Sequence, residues 1–152
     1  MSEHRDDEIK QIAAAVANPC PECPFNRSVK PKALGGSSVY TYVGQIYGPF
    51  VIACHMHIDF QDPAWRDVTK YAQTPQCAGA AIIRANVGVD VLMPDAIPRA
   101  APNRTTVFSN IVEFVAHHHE TTIMSARRIL TPKMITELVQ TQIDRAKRGE
   151  AP

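Results

Sequence analysis

Apolar residues recur at helical spacing in several stretches of the chain, and residues suited to helix caps stand in front of most of them. Ser2 to Ala17 is expected to be a helix: acids crowd its positive end, and Ile9, Ile12, Ala13 and Val16 form one face before Asn18-Pro19 stops it. From Cys20 to Gly36, three further prolines and a Gly35-Gly36 pair predict a loop. Val39 to Ile46 reads two ways. Its Val, Tyr and Thr content favours a strand, whereas Val39, Val43 and Ile46 lie at helical spacing behind Ser37 and Ser38. Phe50 to Ala53 then predicts a short buried strand leading to Cys54.

Asp62-Pro63 supplies a cap and a first helical residue for a helix to about Ala72, and Ala78 to Ala85 predicts another directly after Cys77. Prolines break Met93 to Pro102 into loop. A helix is expected from Ser109 or Asn110 to His119, carrying Ile111, Val112, Phe114 and Val115. A last one opens at Thr131-Pro132 and runs to about Lys147, with Met134, Ile135, Leu138, Val139 and Ile143 on its buried side. The expected fold is mainly α, with irregular metal-organised loops and at most a short β element. It forms a single small domain over residues 1–152.

Composition narrows the functional classes. A formal net charge of +1 over 152 residues gives no global field for nucleic acid or a membrane, although a local basic face is still compatible with it. The acidic start lacks the basic and apolar regions of a secretory signal, and Ala13 to Ala17 is too short to span a bilayer. A cytoplasmic protein with no membrane partner is expected. Twelve prolines against seven glycines predict many rigid, non-repetitive connections, a situation in which a covalent or metal staple is useful.

All four cysteines can serve as that staple. Cys20-Pro21-Glu22-Cys23-Pro24 presents two sulfurs from one turn of backbone, Cys54 follows after 30 residues, and another 22 separate it from Cys77. Two disulfides would be unusual in a reducing compartment. A redox dithiol would sit at a strand-to-helix junction, whereas prolines follow both members of this CxxC pair. A metal centre held by Cys20, Cys23, Cys54 and Cys77 is the preferred reading. The scattered 2+1+1 arrangement favours a [4Fe–4S] cluster over Zn2+, because structural zinc sites usually combine two ligand doublets. His55 and His57 are candidate outer-sphere donors or replacement ligands, His57 being the better placed to replace a cysteine.

The order CPxCPxxR, an aromatic followed by CH, then CAG resembles a group of small four-cysteine proteins from phages and actinobacteria, the DUF6283-like group. The matching residues are Cys20 to Arg27, Phe50 with Cys54-His55, and Cys77-Ala78-Gly79. The resemblance covers roughly residues 18–86 and implies a shared metal-binding module. It carries no activity with it. Residues 87–152 lie outside the match and are expected to form a helical C-terminal extension.

The remaining candidates are weaker. Arg27, Lys30 and Lys32 follow the first cysteine pair without an intervening acid, so they are candidate nucleic-acid contacts or a counterweight to thiolate charge. Arg127, Arg128, Lys133, Arg145, Lys147 and Arg148 read as a solvated helix face. His117-His118-His119 suits the negative pole of a polar helix end, and Trp65 is expected to be a packing anchor. No GxSxG, P-loop, GxGxxG or HExxH is present. The expectation is a non-enzymatic iron–sulfur protein with a structural or redox-sensing role and a protein partner; the alternative is a zinc-stapled adaptor for nucleic acid or the transcription machinery.

Overall fold

A computed structural model describes residues 19–35, 37–54, 58–59, 61–67 and 76–150. The expected first helix, Ser2 to Ala17, lies outside them. Five α-helices follow in the described residues: α1 (Val39–Tyr47), α2 (Ala78–Val87), α3 (Ile111–His118), α4 (Ile123–Ile129) and α5 (Pro132–Lys147). The protein is mainly helical, and its pairings between extended segments are isolated bridges.

Capping chemistry explains where these helices begin. Ser38, Asn110, Thr122 and Thr131 each accept a backbone N–H from the third helical residue of α1, α3, α4 and α5 respectively. Such bonds satisfy donors that the helix itself leaves unpaired. The α2 helix differs, because its capping position is held by Cys77. The ambiguous Val39–Ile46 stretch is therefore a helix, with Val39, Val43 and Ile46 buried.

Two expected elements differ from what their sequence suggests. Asp62 does cap Ala64, but Pro63–Arg66 makes a 3-10 turn and Asp67 is extended, while residues 68–72 of the expected helix lie outside the described residues. Phe50 to Ala53 does not form a strand; it contributes one antiparallel bridge, Ala53 with Gln76, and the Ile52 carbonyl accepts the Cys77 N–H at 2.7 Å. That bond is enough to carry the chain from the buried Ile52 to the start of α2.

One apolar core takes side chains from both halves. Phe25, Val43, Ile46, Ile52, Ala80 and Ile83 pack with Val107, Phe114, Val115 and Ala126. Phe25 stacks on Phe114 at 5.1 Å and meets the Tyr42 ring edge-on at 5.4 Å. On the opposite side, α1 crosses α5 closely. A Cβ on Gly44 would collide with the Leu138 carbonyl, so the absent side chain sets how near the helices approach. The expected apolar face of α5 is only half-buried: Met134, Ile135, Leu138, Val139 and Ile143 are intermediate, and Gln142 is the buried residue.

The candidate thiolate centre

The site starts from two tight turns. In the CPEC segment the Cys23 N–H reaches back to the Cys20 carbonyl at 3.1 Å, and the Asn26 N–H then reaches the Cys23 carbonyl at 3.0 Å. This double turn puts Cys23 into the core at 1% exposure and leaves Cys20 half-buried. The prolines suit a geometry in which successive amides are not needed for a helix or ladder.

The C-terminal half fixes the far end of that loop. Asn26 bridges Val107, Arg27 N–H donates to the Thr106 carbonyl at 2.9 Å, and Phe108 N–H donates to the Phe25 carbonyl at 3.3 Å. The Arg27 side chain donates to the Arg104 carbonyl at 2.9 Å and the Ser109 hydroxyl at 2.7 Å. It also pairs with Glu113 at 2.8 Å and lies over the Phe108 ring. Arg27 is thus a tie between the cysteine loop and the start of α3, a role its place in a basic cluster does not announce.

Cys77 arrives from the other direction, at the capping position of α2. Its sulfur lies 3.3 Å from that of Cys23. Gly79 makes this approach feasible, since a Cβ there would collide with the Cys23 sulfur. The Cys23 thiol beside it and burial push the Cys77 thiol well above its ordinary pKa, while the amides of Gly79 and Ala80 pull the other way. Those amides are the positive end of α2, which favours negative charge on sulfur.

Cys20 and Cys54 complete the set. Both are half-buried and neither is in a disulfide. Burial raises the Cys20 thiol pKa, the Glu22 amide opposes it, and charge on Cys54 or Cys77 raises it further. The four cysteines come from three chain segments. The sulfurs of Cys23 and Cys77 are in contact. Among the described residues, no group of three or more His, Cys, Asp or Glu side chains is arranged to hold a metal ion. His55 and His57 lie outside the described residues.

The donor set nevertheless has the chemistry of a soft-metal site. Four thiols, a positive helix end and a glycine that leaves room for sulfur are what a thiolate-bound ion requires. With Zn–S bonds of about 2.3 Å, two thiolates on one zinc stand about 3.8 Å apart, so the hydrogen-bonded Cys23 and Cys77 sulfurs would open by about half an ångström to share one. In a cubane cluster each cysteine binds a different iron, which places the sulfurs at outer corners and farther apart.

Comparison with protein-family models, curated proteins and solved structures gave no match. The functional reading consequently rests on the chain's own residues, and the resemblance in cysteine spacing rests on its motifs.

The other basic candidates are differently placed. Lys30 and Lys32 are exposed, and Lys32 pairs with Glu120 at 3.4 Å. Lys32 has a positive φ of 68°, and its N–H donates to Nδ1 of His118 at 3.0 Å.

His118 itself is 1% exposed. Because Nδ1 accepts from Lys32, the proton resides on Nε2, which donates to the Pro24 carbonyl at 2.8 Å. His117 similarly donates from Nε2 to the Val29 carbonyl at 2.6 Å. The histidine run is thus more than a polar helix end: two of its members hold the cysteine loop from the α3 side. Burial lowers the His118 pKa, the Pro24 carbonyl opposes this, and the neighbouring His117 and His119 add to the lowering.

Arg84 was hidden from sequence reasoning. It is 1% exposed and donates to the carbonyls of Gln45 at 2.7 Å, Ile46 at 3.0 Å, Gly48 at 3.2 Å and Phe50 at 2.6 Å. Its guanidinium caps the negative end of α1 and holds the turn that leads to Cys54. The available signal was a lone arginine inside the apolar run Ala78–Val87.

Proposed function

We propose that this protein is a small non-catalytic module whose Cys20, Cys23, Cys54 and Cys77 form a thiolate metal centre. The centre ties the CPEC loop, the segment after the Gly48-Pro49 turn and the start of α2 into one structure. The single observation carrying this reading is the Cys23–Cys77 sulfur separation of 3.3 Å between residues 54 apart in sequence. Its closeness to a zinc thiolate edge favours Zn2+ as the resident ion. Four thiolates would fill a tetrahedral ion and leave no open position for substrate, which suits a structural role.

A [4Fe–4S] cluster is the second reading. The arrival of its four cysteines from three chain segments supports it, since a cubane spreads its thiolates over a larger volume than a single ion. In either case the function is expressed through a protein partner. Large apolar side chains exposed at Val91, Leu92 and Met124 support that part of the reading. Nucleic acid is less favoured, because Arg27 is engaged internally, Lys32 is paired with Glu120 and the net charge is only +1.

Metal and acid-labile sulfide analysis, with a visible spectrum, on protein purified without oxygen tests the centre. About one zinc per chain and no colour is the expected result, and Cys54→Ser should lower both metal content and helicity. About four irons with sulfide and a brown protein would transfer the reading to the cluster. A folded, reduced protein that takes up neither metal would overturn both.

A further inference from the structure

We propose that Cys20, Cys23 and Cys77 form a thiol–disulfide relay that ends in a Cys23–Cys77 bond and closes the metal centre. The metal half of this inference rests on the function proposed above; the relay itself rests on sulfur geometry. A CxxC pair would ordinarily be expected to oxidise within itself. Here Cys23 meets Cys77, on a different segment, with sulfurs 3.3 Å apart. A disulfide needs about 2.0 Å, so closure moves the sulfurs together by little more than an ångström.

Three features direct the bond to that pair. Gly79 presents no side chain between the Cys23 sulfur and the helix start. Cys23 and Cys77 are 1% and 4% exposed, so a bond between them is shielded from reductant. Cys20 is half-buried and sits where a small-molecule disulfide of the glutathione class can reach it.

The exchange balances step by step. The Cys20 thiolate attacks the small disulfide and expels one thiolate, giving a mixed disulfide. Cys23 sulfur attacks the Cys20 sulfur and expels the second small thiolate. Cys77 sulfur then attacks the Cys23 sulfur, forming the buried bond and returning Cys20 as a thiolate. The net change oxidises the Cys23 and Cys77 thiols by two electrons and reduces one small disulfide to two thiols, which take up the two protons released. Two of the four ligands are then consumed, so metal and disulfide exclude each other.

The full-length protein, stripped of metal by a chelator, would be equilibrated with glutathione and glutathione disulfide at graded ratios, quenched, alkylated and peptide-mapped. Cleavage after Glu22 separates Cys20 from Cys23, and cleavage after Arg27, Lys32, Arg66 and Lys70 separates Cys23, Cys54 and Cys77, so with both each pairing gives a distinct peptide. The expected end product is Cys23–Cys77, exceeding Cys20–Cys23 by about tenfold or more, with Cys20 and Cys54 alkylated. Cys20→Ser should reach the same bond more slowly. Zinc uptake should fall in proportion to the oxidised fraction and return on reduction.

A stable Cys20–Cys23 end product, or alkylation of both Cys23 and Cys77 at every ratio, would overturn the proposal. A Cys20→Ser variant that oxidises as fast as wild type would do the same for the relay. The disulfide map is read without metal, so the two readings fail separately. A Cys23–Cys77 bond in a protein whose reduced form never takes up metal supports the relay and sinks the metal centre. Metal uptake together with a CxxC bond does the reverse.

Discussion

Replacing Arg84 with methionine keeps most of the side-chain volume of a buried residue and removes every donor it offers. Four carbonyl oxygens at the end of α1 and in the following turn then lose their N–H partner. Hydrogen bonds from a charged donor contribute about 1.5–3 kcal/mol each, but the part-buried carbonyl of Phe50 can turn to water. The burial cost of the guanidinium is also relieved, which offsets part of the loss. The net destabilisation expected is about 3–5 kcal/mol, a large share of the about 5–15 kcal/mol typical of a domain. Arg84→Lys, which retains the charge but loses the fork geometry, should lose about half as much. Urea unfolding followed by far-ultraviolet circular dichroism, at matched metal content, reads the difference. An Arg84→Met midpoint and slope that place it within about 1 kcal/mol of wild type would refute the idea that this guanidinium holds the α1 terminus.

Other expectations follow from the same contacts. Because burial depresses the His118 pKa below 6.5, the unfolded chain takes up the proton first. His118 therefore contributes full stability above about pH 6.5 and loses it as pH falls from there towards the depressed folded value, so His118→Gln should flatten the acid side of a stability–pH curve. Gly79→Ala should cost about 1–3 kcal/mol and push Cys23 away from Cys77, which metal titration would read as weakened uptake. Arg27→Ala should lower stability by about 1–3 kcal/mol through the loss of Glu113, Ser109 and the Arg104 carbonyl; if its melting point is unchanged, the tie between the cysteine loop and α3 is not what the geometry indicates.

Much of the helical architecture was legible from capping residues and spacing. Asn110 and Thr131-Pro132 begin α3 and α5 where the chain pattern places them. The Val39 stretch was ambiguous because β-branched and aromatic residues occupied helical positions, and burial of Val39, Val43 and Ile46 together with the Ser38 cap decided it. The α4 helix was not foreseen. In its seven residues Ala126 is the buried one, while Ile123, Met124 and Ile129 are exposed, so no apolar face marks it.

The expected Phe50–Ala53 strand had the right composition, but only Ala53 joins a bridge, with Gln76. At the site, the cysteine pattern pointed to one shared centre, and the fold brings the sulfurs of Cys23 and Cys77 together. The pattern could not show that Cys23 meets Cys77, since that depends on how α2 is packed. His118 reads in the sequence as part of a polar helix end, whereas the fold buries it and pairs its ring nitrogens with the Lys32 amide and the Pro24 carbonyl; nothing in the sequence around Arg84 shows that it meets carbonyls at the end of α1.

The position of Arg84 also makes α2 a lever. Cys77 stands at one end of this helix, and Arg84 lies seven residues along it, about 10 Å away at 1.5 Å per residue. One end answers to sulfur chemistry; the other grips the terminus of α1 and the turn beyond it. A short helix transmits a displacement of its first turn nearly undiminished. A shift of Cys77 would therefore be felt first at the α1 end, where Gly44 rests against the α5 backbone.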